Sequence, residues 1–169
     1  LAWGCAGMYT SISANSLAIA PILLAGSTAQ RKQWLPRLLD QPRFAAFALT
    51  EPSAGSDAGA VNCRAEKKNG MYVLNGQKCF ITGGAHADFF TVFVKTDPDK
   101  GARGLSAIVV PRDTKGLIIG ASLDKLGHRA SNQVEIHFRN AEVPVENLLG
   151  AEGSGFAIAM KTLDRTRAN

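Results

Sequence analysis

Residues 68–84 read KNGMYVLNGQKCFITGG. Lys68-Asn69-Gly70 has the residues of a tight turn, and Met71-Tyr72-Val73-Leu74 is a strand-forming run. Asn75-Gly76 then predicts a two-residue hairpin, because a type I′ turn needs positive φ at both central positions. Cys79-Phe80-Ile81-Thr82 resumes a strand and Gly83-Gly84 ends it. Alternation in that strand places Phe80 and Thr82 on one face and Ile81 on the other. An aromatic ring and a hydroxyl on one face suit a planar ligand. The plainer reading is a buried Phe and a Thr within the ladder.

The strand signal continues on both sides. Val61, Cys63 and Ala65 alternate with polar residues, as do Val134, Ile136 and Phe138. Residues 89–94, 105–110 and 117–119 are apolar runs, and Asp97-Pro98-Asp99-Lys100-Gly101 separates the first two. Short strands divided by Gly, Pro and Asn predict a small antiparallel barrel or sandwich. Upstream, Leu17 to Leu24 is an Ala-rich helical stretch, broken by Pro21 and closed by Gly26. Ser27 with Gln30 fits a capping box, and Pro36 predicts a short or bent second helix. Downstream of Gly150, Phe156, Ala159, Met160 and Leu163 form one apolar helical face, with Asp164 and Arg167 on one side. The predicted class is therefore α+β: helix at 1–42, the β domain at 43–150, and helix at 151–169.

The chain has 169 residues, 46% hydrophobic, enough for one domain core. The net charge of +5 is dispersed, with no long Lys/Arg run and no RNP-like strand, which argues against nucleic acid. Cys5, Cys63 and Cys79 show no CxxC, and His86, His128 and His137 show no ligand spacing, so reduced thiols and no metal are expected. No uninterrupted apolar run reaches the roughly 18 residues of a membrane span, so no membrane partner is expected. Leu1 begins the chain without a basic n-region and Asn169 follows the start of a helical pattern, so a fragment or processed chain without signal peptide is expected.

A second stretch, FALTEPSAGSD at 47–57, passes from an apolar strand into a turn with three hydroxyls, Thr50, Ser53 and Ser56. It lacks the GxGxxG of a dinucleotide loop and the Gly-Lys-Ser/Thr of a Walker loop. Thr50 stands at the strand end as donor and acceptor. Amides near Gly55 and Ser56 suit an anion nest, while a self-satisfying Ser/Thr turn explains the same residues. Glu51 and Asp57 are expected in a turn without apolar burial, so neither predicts a raised pKa. A Ser-His-Asp hydrolase is excluded by the lack of GxSxG.

Five stretches in order carry a resemblance: TEPSAGSD at 50–57, NGQKCFITGG at 75–84, KLGHRAS from 125, VPVENLLG at 143–150 and EGSGFAIAMKTLDRTR at 152–167. With them the chain resembles the acyl-CoA dehydrogenases, flavoenzymes that oxidise acyl-CoA thioesters at the α–β bond. The resemblance implies a β domain between two helical domains and FAD as cofactor. It implies that Phe47, Leu49, Thr50, Gly55 and Ser56 line the flavin, with Thr50 at the pyrimidine side and Gly55 and Ser56 at the pyrophosphate. Phe80, Ile81 and Thr82 form the second strip, Phe80 against the ring and Thr82 near N5. Ser56, Asp164 and Arg167 match substrate-contacting positions.

The resemblance further implies an acyl-CoA substrate, an electron-transfer flavoprotein as acceptor and a homotetramer or homodimer, in bacterial cytoplasm or mitochondrial matrix. Two positions depart from the usual pattern: Gly83 replaces Asn and Phe80 replaces a frequent Trp. The base position used by a minority of members is Thr166, so a catalytic Glu is expected beyond Asn169 and this chain alone is expected to be inactive. The floor of the acyl pocket is expected from helices outside the chain. An acyl-CoA oxidase, a flavin monooxygenase or a non-catalytic binding module remain as alternatives.

Overall fold

The computed structural model describes residues 3–166. Its helices are α1 (Ala6–Ala25), α2 (Thr28–Trp34) and α3 (Gly155–Thr166). Its strands are β1 (Phe44–Ala48), β2 (Arg64–Lys68), β3 (Met71–Thr82), β4 (Ala87–Lys95), β5 (Leu105–Pro111), β6 (Leu117–Ile119), β7 (Gln133–Pro144) and β8 (Leu148–Leu149).

The capping box is present. Ser27 Oγ accepts from the Gln30 amide at 3.1 Å, and Gln30 Oε1 accepts from the Ser27 amide at 2.8 Å. Gln30 Nε2 also donates to the carbonyls of Glu146 and Leu148, at 2.7 Å each, which ties the helical end to β8. Pro36 ends α2 and begins a 3-10 turn. Pro21, expected to break the first helix, lies buried within α1 instead. Packing of its neighbours Ala18 and Ile22, both 0% exposed, overrides the lost hydrogen bond. By length and composition alone α1 is also apolar enough to cross a membrane, although Thr10, Ser13 and Asn15 interrupt its apolar residues. Here its buried face packs on β1 and α3.

The eight strands form one sheet in the order β6-β7-β3-β2-β4-β5-β8, with β1 added alongside β4. Most pairs are antiparallel, as expected, but β1 runs parallel to β4 and β2 meets β4 in parallel at Arg64 and Lys95. The sheet is thus mixed, and among the described residues its ladder does not close on itself. The β2–β3 hairpin turns at Asn69-Gly70, with φ of 50° and 77°, the backbone of a type I′ turn. Asn75-Gly76, expected to be the hairpin, lies inside the continuous β3. The register to β7 shifts there, and a Cβ on Gly76 would stand 2.8 Å from Cys63 Cα. That glycine serves a bulge and a close backbone crossing rather than a turn.

The core lies over β4 and β5, where Phe89, Phe90, Phe93 and Ile108 are all fully buried. Each such side chain contributes about 1.5–3 kcal/mol of burial. Trp34 closes one end against Phe89, ring centroids 5.2 Å apart. α3 docks through Gly155, whose missing Cβ would lie 2.6 Å from the Ser106 backbone. Ile158, Ala159 and Thr162 form its buried face; Phe156, Met160 and Leu163 of the expected stripe are only half-buried.

Candidate functional site

Two strand ends lie side by side. The amide of Cys79 in β3 donates to the carbonyl of Thr50, just past β1, at 2.9 Å. Above them opens a groove of about 610 Å³ between the sheet, α1 and α3. Phe47, Leu49, Thr50, Gly55 and Ser56 line it from the first strip, and Phe80, Ile81 and Thr82 from the second. All eight residues predicted to touch a cofactor therefore face one cavity. Asp164 is exposed on α3 outside that lining, and Arg167 lies outside the described residues. A second cavity of about 410 Å³, with Met8, Phe44, His86 and Arg129 on its walls, holds none of the predicted residues.

The first strip is partly a self-satisfying turn. The Glu51 and Ala54 amides and carbonyls pair with each other at 3.0 and 3.1 Å, and Asp57 Oδ1 accepts from the Gly59 amide at 3.1 Å. Gly55 and Ser56 remain exposed at its tip, and a Cβ at Gly55 would meet nothing within 4 Å. Glu51 is not the exposed turn carboxylate expected; it is 5% exposed. Its Oε1 meets Lys78 Nζ at 2.7 Å and the Cys63 amide at 2.9 Å, and its Oε2 accepts from the Asn62 amide at 2.7 Å. Lys78, itself 0% exposed, also donates to the Leu49 carbonyl at 3.0 Å. Burial pulls the Lys78 ammonium below its usual range, while Cys63 and Glu51 oppose that pull. Burial likewise pushes the Cys63 thiol up to about 11.

The second strip departs from regular alternation. The register between β3 and β7 shifts between Lys78 and Ile81, so β3 carries one extra residue there. Lys78 and Cys79 both turn inward, and Phe80 stands at φ 56° with 60% of its surface exposed. A bulky residue at positive φ is strained backbone, of the kind that clusters at functional sites. The buried-Phe reading fails, because the ring is turned out into the groove. Thr82 Oγ1 accepts from Gln133 Nε2 at 3.2 Å, which leaves its own hydroxyl hydrogen to donate. Gly83 stands at φ 75°, a conformation that Gly or Asn adopts most readily, so the departure from Asn there preserves the backbone.

The remaining walls were not legible from sequence. Tyr9, Thr10, Ser13, Ala14 and Leu17 line the groove from one face of α1, and Met160, Leu163 and Thr166 from α3. The signal was a helical stripe of small and hydroxyl residues within an otherwise apolar helix. Met160 and Leu163, part of the apolar helical face expected from sequence, line the cavity. Among the described lining residues there is no Asp or Glu. Nor does any group of three His, Cys, Asp or Glu side chains gather as metal ligands among the described residues.

Comparison with known proteins follows the same outline. The family profile of the acyl-CoA dehydrogenase middle domain matches residues 46–141, and that of the acyl-CoA dehydrogenase N-terminal domain matches residues 1–42. An acyl-CoA dehydrogenase of Bacillus subtilis strain 168 is 47% identical over 157 residues, covering 93% of this chain and 40% of that protein. The cyclohex-1-ene-1-carbonyl-CoA dehydrogenase of Syntrophus aciditrophicus is 47% identical over 164 residues, covering 96% and 40%. The butyryl-CoA dehydrogenase structure from Megasphaera elsdenii superposes with a TM-score of 0.93 at 42% identity, covering 96% of this chain and 43% of that one. The chain spans about two fifths of the length of the curated relatives it matches.

Proposed function

The chain belongs to the acyl-CoA dehydrogenase family, and on that premise we propose that it supplies the flavin-binding strips of an FAD-dependent enzyme that oxidises an acyl-CoA thioester at its α–β bond. The observation that carries this reading is the convergence of both strips on one groove, with Phe80 held exposed at positive φ. The residues fit the group. An outward aromatic offers a stacking face, Thr50 and Thr82 offer hydroxyls at two ring edges, and Gly55 leaves open space beside Ser56 for a diphosphate.

Bound FAD supplies the hydride acceptor for the substrate's β carbon. The protein's own work is positioning and polarisation. Thr82 presents its hydroxyl hydrogen, because Gln133 already occupies one of its lone pairs. Phe80 would offer its exposed ring as a stacking face, and Thr50 its hydroxyl at the strand end. The α1 wall of Thr10, Ser13, Ala14 and Leu17, with Met160 and Leu163 of α3, is assigned to the acyl portion of the substrate. Ser56 is assigned to both the diphosphate and the CoA tail, and Asp164 and Arg167 to the CoA moiety. The α-proton's acceptor comes from a Glu outside the described residues, since no carboxylate is among the lining. The domain divisions at 42 and 150 belong to the same reading. So do an electron-transfer flavoprotein as acceptor, a homotetramer or homodimer, and a bacterial cytoplasmic or mitochondrial matrix setting.

The test is anaerobic mixing of the intact flavoprotein with saturated acyl-CoA thioesters. Bleaching of the flavin absorbance with formation of the enoyl-CoA is expected, with reoxidation faster by an electron-transfer flavoprotein than by oxygen. A flavin that no acyl thioester reduces contradicts the reading, and fast oxygen reoxidation moves it to an oxidase.

A further inference from the structure

We propose that the buried Lys78–Glu51 pair is a positioning device for the flavin groove, and that it sets the placement of Thr50 rather than serving only the stability of the fold. This rests on the flavin reading of the groove. Neither side chain lines the cavity. Lys78 lies behind it and grips the first strip at two points, the carbonyl of Leu49 at 3.0 Å and the carboxylate of Glu51 at 2.7 Å. The residue between those points is Thr50. Its own carbonyl accepts from the amide of Cys79, the residue after Lys78, at 2.9 Å. Three consecutive residues of one strip are thus held by two consecutive residues of the other.

Glu51 extends the grip. By accepting from the amides of Asn62 and Cys63 it fixes the return of the chain after the Gly55-Ser56 tip. Lys78 turns inward at the start of the same β3 bulge that turns Phe80 outward. One buried pair therefore joins the diphosphate-side loop, the ring-edge threonine and the ring-stacking phenylalanine. A pair kept only for stability has no need of this geometry. Well-packed apolar residues of similar volume often stabilise a core as well as a buried ion pair does. The pair's worth lies in holding groups in register.

The experiment compares FAD affinity and melting temperature in the intact flavoprotein, its Lys78→Met variant and the Lys78→Met/Glu51→Gln double variant. Lys78→Met leaves a buried carboxylate unpaired, so its melting temperature falls. The double variant removes that charge and regains part of the loss. The expected result is that FAD dissociation constants of both variants rise roughly tenfold or more, so affinity stays lost while stability returns. If Lys78→Met does not fold, the double variant alone decides. Affinity in the double variant within about twofold of the parent overturns the proposal, because the pair then serves the fold alone. If the parent protein takes up no FAD, the flavin reading itself falls and this proposal with it.

Discussion

At the end of β1, Thr50 lies between two residues held from behind, its neighbours' carbonyl and carboxylate both bound by the fully buried Lys78. At the end of β3, Phe80 has no such support. It stands on a bulge at φ 56°, followed by Gly83 at φ 75°, with most of its ring exposed. One strand end is fixed by buried polar contacts and the other by strained backbone, yet both deliver side chains to one groove. The difference teaches that preorganisation of a site has two sources, and that each leaves a different signature on stability. Buried contacts add to it and strain subtracts from it.

The largest break in the comparison comes from the anchored end. Lys78→Met strands the Glu51 carboxylate and is expected to cost about 3–5 kcal/mol in denaturant unfolding, the range for a buried pair broken on one side. A loss below about 1 kcal/mol would match an exposed pair and remove the contrast. Cys63, whose amide binds Glu51, gives a pH signature from the same side. Burial raises its folded pKa from 9.0 to about 11, so the folded state holds the proton longer than the unfolded one. The contribution is fully present below pH 9 and is lost as pH rises toward 11. Over that window Cys63→Ala is expected to flatten the fall in stability by up to about 3 kcal/mol, read from unfolding curves across pH. Identical slopes in parent and variant would show that the thiol is not buried in this way.

The strained end responds in the opposite direction. Phe80→Gly relieves the positive φ and is expected to raise stability by about 1 kcal/mol while weakening FAD binding. A variant that loses stability would show that the ring packs rather than waits. The smallest effect is at Gly83. Gly83→Asn is expected to stay within about 0.5 kcal/mol of the parent, and Gly83→Val to cost about 1–2 kcal/mol, because only the former tolerates φ 75°. Equal melting temperatures for the two would mean that the strip relaxes freely.

Local chemistry made much of this fold readable. The Ser27/Gln30 cap, the Pro36 stop, the strand alternation and the helix after Gly150 each rest on residues within a few positions of one another. What escaped depends on distant partners. Asn69-Gly70 and Asn75-Gly76 are the same dipeptide, but the second stays inside β3, where both its flanks pair with β7 and Cys63 packs close to Gly76. Pro21 was read as a breaker because propensity is local, whereas the packing of α1 on β1 is not. Glu51 was read as exposed because its partner Lys78 is 27 residues away and no pattern links them. In the candidate site, both strips were legible as motifs. The α1 wall was not, since a stripe of small residues in a helix marks close approach without saying of what.

The central claim is that one ligand spans both strand ends, and amide hydrogen exchange of the intact protein with and without FAD tests it most directly. The account predicts that FAD protects two separate segments together, 49–56 and 80–83, with little change at 128–132 beside the smaller cavity. Protection confined to one segment, or centred on 128–132, would contradict it.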